Sequence, residues 1–278
     1  LLRGAGGLTA WLAPPQAWAW RPWRADAVRQ TDWVGCVLPH AAAWYRRQRV
    51  PADFVGHPLA SAPPLPPGRP EVVALLPGSR PGTAARLLPL MLEAAARLRR
   101  EVPSLEVVWG RSPGLAPDLP DGWPAWARVA DGARAALRQA GSAWVGAGTA
   151  TLDAVLAGRP CVVVARLDPA AEWLAKRLVR VPAVGLPNLV LGRRAFPECV
   201  LQDCTPAAIA AAALGLLHAP ETWAPSVEAV RARLRRSDWG GEVATHLLRL
   251  LARRAPPMLR ASPASPAAGA RERGGSDV

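Results

Sequence analysis

Short apolar runs alternate with longer helix-forming stretches along this chain. Trp33 to Leu38 is one such run, and a helical pattern follows near Ala41 to Arg49. Val72 to Leu76 is the next, with a long helix-forming stretch after Arg80. Leu105 to Trp109, Arg128 to Ala130, Ala143 to Gly146 and Cys161 to Ala165 repeat the theme. Helical patterns lie between and after them, near Gly132 to Gln139, Thr149 to Ala157 and Pro169 to Val179. Runs of this length bounded by turn residues fit strands buried on both faces. Alternating strands and helices then build a parallel sheet covered by helices, an α/β fold. Ser112 to Pro124, rich in proline and glycine, reads as a loop.

Leu59 to Pro70, LASAPPLPPGRP, holds too much proline for a helix interior or a central strand, and reads as a linker. The expected division is residues 1–60 as the end of a Rossmann-like domain whose start lies before Leu1, and 61–70 as the linker. Residues 71–254 form a complete Rossmann-like domain, and 255–278 a small, polar, disordered tail.

Composition changes this picture only slightly. The chain has 278 residues and a formal net charge of +13, which favours polyanions: nucleic acid, an anionic lipid surface or phosphorylated substrates. No segment interleaves basic and aromatic residues in a repeat, so nucleic acid is not an expected partner. The least polar helical stretch, Pro206 to Ala219, is too short to cross a bilayer. Cys36, Cys161, Cys199 and Cys204 have no CxxC spacing and fit buried free thiols of a reducing compartment. His40, His57, His218 and His246 are scattered, and no metal site is expected.

Open α/β sheets bind ligands at the carboxyl ends of their strands. Two such loops have the chemistry of a phosphate cradle. In Pro77-Gly78-Ser79-Arg80, Gly78 lets the backbone approach an anion, Ser79 offers a hydroxyl and Arg80 a bidentate fork. The plain alternative is a strand-to-helix turn with a solvated arginine. In GAGTATLDAVLAGRP (Gly146 to Pro160), Gly148 and Thr149 precede a helix, Thr149 and Thr151 can cap or donate, and Asp153 lies one turn in. Asp153 either complements the helix dipole or accepts hydrogen bonds from a ribose diol. Neither loop is a GxxxxGK[ST] or GxGxxG motif. Leu186 to Asp203 reads as a third loop, in which Asn188, Arg193, Glu198 and Gln202 recur among apolar residues.

Ordered blocks along the chain resemble the lipid-A-disaccharide synthase family. They are PPQAWAWRPWR (Pro14 to Arg24), FVGHPLA (Phe54 to Ala60), LLPGSR (Leu75 to Arg80), GTATLDAVLAGRPCVVVAR and WLAKRLVRVPAVGLPNLVLGRRAFPECVLQD. The resemblance implies the GT-B architecture, two Rossmann-like domains facing across a cleft. It implies an inverting transfer of 2,3-diacylglucosamine from UDP-2,3-diacylglucosamine to 2,3-diacylglucosamine 1-phosphate, releasing UDP, with no metal or cofactor. Arg80 is then the catalytic residue. Gly78, Ser79, Gly148, Thr149, Asp153, Asn188, Arg193 and Glu198 bind the nucleotide-sugar. The resemblance also implies a cytoplasmic protein, peripheral on the inner membrane, with an anionic membrane surface as partner. Trp18, Trp20, Trp23, Arg21 and Arg24 are candidates for that contact, with core packing the alternative for each indole. A homodimer is compatible with it.

Three departures open a second reading. The family's early AGExSGD segment and its acidic base are expected before Leu1. Its LPFE is Leu38-Pro39-His40-Ala41 here, and its SGTATLE carries Ala147 and Asp153. The alternative is a relative that binds nucleotide-sugar or glycolipid without transfer, and this stretch by itself is expected to make no disaccharide.

Overall fold

The computed structural model describes residues 7–20, 22–115, 122–168 and 182–254. The first lobe comprises β1 (Ala10–Leu12), α1 (Ala17–Trp20), α2 (Ala25–Arg29), β2 (Trp33–Cys36), α3 (Pro39–Arg47), β3 (Ala52–Phe54) and α4 (Pro58–Ser61). Its three strands form a parallel sheet in the order β1-β2-β3. The second lobe begins with β4 (Arg69–Leu76), α5 (Pro81–Leu98), β5 (Glu106–Arg111), β6 (Ala127–Asp131), α6 (Ala133–Gln139) and β7 (Ala140–Gly146). It continues with α7 (Ala150–Leu156), β8 (Cys161–Ala165), α8 (Leu186–Leu191), β9 (Glu198–Val200), α9 (Pro206–His218) and α10 (Ala224–Leu234), and α11 (Trp239–Arg254) follows. Its six strands are ordered β6-β5-β4-β7-β8-β9, each neighbouring pair parallel.

The apolar runs become buried strands because both sheet faces are covered. Along β4, successive side chains point to opposite faces. Val73 and Leu75 pack with Leu87 and Met91 of α5 and Ile209 of α9. Val72, Ala74 and Leu76 share the other core with Leu137 of α6 and Leu152 of α7. That second core continues into the first lobe through Leu65 and Ala60 to Val34, Cys36 and Tyr45.

Several boundaries differ from the sequence reading. β2 stops at Cys36 and α3 starts at Pro39, where proline's fixed φ favours a first helical turn. Leu186 to Asp203 is not one loop. Pro187 opens α8, Gly192 in the left-handed region (φ 69°) ends it, and β9 adds an edge strand. The amphipathic signal is missing there because α8 is covered nearly all round, with Leu186, Asn188, Val190 and Leu191 buried. The proline-rich linker is a clamped strap. Leu65 donates its amide to Ala157 O at 3.1 Å, Arg231 donates to Ala62 O at 2.6 Å, and Arg159 reaches Pro66 O. The last helix, expected within the 71–254 domain, lies against the first sheet. His246 of α11 stacks on Trp33 with centroids 4.9 Å apart, and its Nδ1 is 3.6 Å from Asp53 Oδ2. The helix expected at Pro169 to Val179 and the tail at 255–278 fall outside the described residues. All four cysteines are buried free thiols, and burial pushes Cys36 and Cys161 up to about 12.

His40 begins α3 just after β2 and meets Trp18 edge-on, with ring centroids 4.5 Å apart. Both its ring nitrogens are buried without a hydrogen-bond partner. Burial lowers its pKa from the ordinary 6.5. The unfolded chain therefore takes up a proton there before the folded chain does, so stability is held above pH 6.5 and lost as pH falls through it. His40→Phe is expected to flatten the fall in urea midpoint on acidification from about pH 7.5 to about pH 5.5. An acid limb as steep in the variant as in the parent would show that His40 does not bear it.

Candidate active site

The strand order creates the site. The chain leaves β4 for β5 and β6 on one side, then crosses back to β7 on the other. The loops after β4 and β7 consequently start side by side at a topological switch point, the position where open α/β sheets bind ligands. Leu76 and Val145 are paired at this edge. Gly146 lies so near the other loop that a Cβ there would sit 2.6 Å from Pro77 O. The two cradle loops, distant in sequence, thus touch.

In the first loop Gly78 has φ 121°, a conformation that side-chain-bearing residues rarely adopt. It turns the chain so that Ser79 and Arg80 are exposed beyond the strand end. Arg80 is the N-cap residue of α5, an 18-residue helix with Pro81 at its first position. The positive end of that helix dipole therefore lies at the switch point. The Arg80 guanidinium has no hydrogen-bond or ionic partner among the described residues.

In the second loop Gly148 has φ 146° and Thr149 is exposed, its hydroxyl making no cap bond. Thr151 differs from its expected donor role: it is fully buried and its hydroxyl donates to Gly148 O at 2.7 Å. α7 has only seven residues, so its helix-end field is weaker than that of α5. Asp153, half-buried in its first turn, has no partner for its carboxylate among the described residues, and burial raises its pKa.

The third segment behaves otherwise. Asn188 is 1% exposed, and its amide is fully engaged. Its Oδ1 accepts from the Ala195 and Phe196 amides at 2.9 Å each. Its Nδ2 donates to Phe196 O at 2.9 Å and to Glu198 Oε1 at 2.8 Å. No donor or acceptor is left for a ligand, so the expected direct contact at Asn188 is corrected to a structural one. The Glu198 carboxylate also accepts from the Val184 and Gly185 amides, at 3.0 and 2.8 Å, tying the start of α8 to β9. Arg193 donates to Ser226 Oγ of α10 at 3.1 Å. These three brace the flank of the sheet instead of joining the two cradle loops.

Two arginines absent from the sequence reading stand on the same sheet edge. Arg111 ends β5, 3.5 Å from Asp131, and Arg166 follows β8 and donates to Cys204 O at 3.3 Å. The available signal was an arginine within two residues of a strand's last apolar residue. Of the tryptophans set aside for a membrane, Trp18 packs on the core while Trp23 is 62% exposed. The Trp20 side chain and Arg21 lie outside the described residues. No described helix is long and apolar enough to cross a membrane.

Solved structures share this architecture at low identity, which speaks to the fold alone. The calicheamicin glycosyltransferase CalG4 aligns with a TM-score of 0.55 and 20% identity, over 81% of this chain and 54% of that one. The S. aureus MnaA–UDP co-structure aligns at 0.53 and 10% identity, over 83% and 63%. Sequence relatives are nearer. The lipid-A-disaccharide synthase of Pseudomonas putida KT2440 is 36% identical over 267 residues, 90% of this chain and 71% of its own length. That of Pseudomonas syringae pv. syringae B728a is 37% identical over 273 residues, 91% of this chain and 71% of its own. The family model for lipid-A-disaccharide synthetase matches residues 8–235. With its two parallel-sheet lobes and the switch point between β4 and β7, the chain belongs to the lipid-A-disaccharide synthase family of glycosyltransferases.

Proposed function

We propose that the switch point between the loops after β4 and β7 binds UDP-2,3-diacylglucosamine. The sugar is then transferred with inversion to 2,3-diacylglucosamine 1-phosphate. The observation that carries this reading is the exposed Arg80 guanidinium at the amino end of α5, without a partner among the described residues, on a loop that meets the loop after β7 at Pro77 and Gly146. In the reaction the bond from the anomeric carbon to the β-phosphate oxygen breaks, and its electron pair leaves with UDP. An acceptor hydroxyl oxygen bonds to that carbon from the opposite face, and its proton passes to a base. Negative charge grows on the β-phosphate as the bond breaks. A fixed cation and a helix amino terminus stabilise that charge without reorganising, an effect commonly worth about 3 kcal/mol in the barrier. Ser79 and Thr149 supply hydroxyl donors to the diphosphate, and Asp153 accepts from the ribose diol. Asn188 and Glu198 support the neighbouring flank from within.

Both substrates carry acyl chains, so they must be taken from a lipid surface. Trp23 and Arg24 are exposed together in the first lobe and suit an anionic headgroup layer on the cytoplasmic face of the inner membrane.

UDP should raise the unfolding free energy by mass action, by about 2.7 kcal/mol at a hundred times its Kd. Asp153→Ala should weaken that shift for UDP while leaving the smaller shift from inorganic pyrophosphate unchanged. A melting temperature indifferent to millimolar UDP would overturn the assignment of the switch point.

A further inference from the structure

A second cavity, of about 450 Å³, opens at the other edge of the large sheet, where the strands begin. Its walls are the strap (Pro64, Leu65, Pro67), the start of β7, the turn before β8, and the facing sides of α9 and α10. Most of this lining is aliphatic. Two polar groups interrupt it. Ser142 is 3% exposed and its hydroxyl is buried without a partner. Arg159 is 4% exposed and is held by neutral acceptors: Nε donates to Leu137 O at 3.0 Å and Nη2 to Pro66 O. A buried cation is costly unless an anion offsets it. No described carboxylate pairs with Arg159. The cavity's one acid, Glu228, has a side chain 71% exposed and lies 4.0 Å from Arg231. Carbonyl oxygens satisfy hydrogen bonds but leave the positive charge unbalanced, and the guanidinium has five N–H groups for its two recorded acceptors.

We propose that this cavity binds an amphipathic monocarboxylate, with the carboxylate on Arg159 and Ser142 and an aliphatic body against Pro64, Pro67 and Leu217. One guanidinium with donors to spare and one hydroxyl match a single negative charge; a phosphate dianion would need more donors than the site offers. The volume accommodates roughly ten to fifteen heavy atoms. Because the strap joins the two lobes and forms one wall, an occupant packs against the connection between them.

The probe is octanoate, with 1-octanol as its uncharged counterpart, titrated calorimetrically into the intact chain. Octanoate is expected to bind at least tenfold more tightly than octanol. Ser142→Leu and Leu217→Trp, which fill the cavity, should abolish octanoate binding while the UDP response persists. Arg159→Met should bring octanoate down to the affinity of octanol; if that variant does not fold, the two cavity-filling variants carry the test. Absence of octanoate binding at millimolar concentration, equal affinity for octanol, or binding that survives Ser142→Leu would each overturn the proposal.

Discussion

Arg80→Ala is expected to lower sugar transfer by about two to three orders of magnitude, the usual consequence of removing one preorganised charge donor from a transition state. The melting temperature should hardly move. Arg80 is exposed, its side chain bonds to no described residue, and its backbone carbonyl caps α5 by accepting from the Thr83 and Ala84 amides. The deficit should lie mainly in kcat, because the β-phosphate gains its extra charge only as the glycosidic bond breaks. Arg80→Lys should recover only part of the loss, since an ammonium keeps the charge but not the planar fork. Steady-state rates with UDP release as the readout check this. A kcat within about threefold of the parent would remove Arg80 from the chemistry.

Asn188→Ala is expected to do the reverse, costing about 3–5 kcal/mol of stability while leaving the switch point intact. The substitution leaves the Phe196 amide and carbonyl without their side-chain partner in a buried site, and the Ala195 amide with Arg193 O alone. It also removes one of the donors that hold the Glu198 carboxylate. Urea denaturation measures the loss, and UDP affinity measured well below the midpoint should be unchanged. A stable variant that bound UDP weakly would return Asn188 to the ligand-binding set. The two substitutions thus separate residues that meet the ligand from residues that hold the fold.

Asn188 and Arg80 also mark where sequence reading succeeds and where it stops. The alternation of apolar runs and helical stretches was enough for a parallel α/β fold, because strands buried on both faces must be continuously apolar. The backbone freedom, hydroxyls and charge of Pro77 to Arg80 and Gly146 to Asp153 at their strand ends were legible, since these are local properties. Asn188 and Glu198 showed the same residue chemistry, yet they turn inward. A polar side chain in an apolar segment suits a ligand or a buried network equally, and only packing distinguishes them. The strap looked like a flexible linker because proline content reports local stiffness, not the Arg159 and Arg231 that clamp it from distant positions. α11 gave no sign of its destination, since an amphipathic helix does not name the face it will cover.

What the sequence by itself determined is the set of elements and the chemical character of their loops, because both follow from residues within a few positions of one another. Tertiary structure alone decided that β7 lies beside β4, that Gly146 brings the two loops into contact, and that the last helix returns to the first sheet. These depend on pairings between residues far apart in the chain, whose cost is loop-closure entropy and whose gain is burial, and no local pattern encodes that balance.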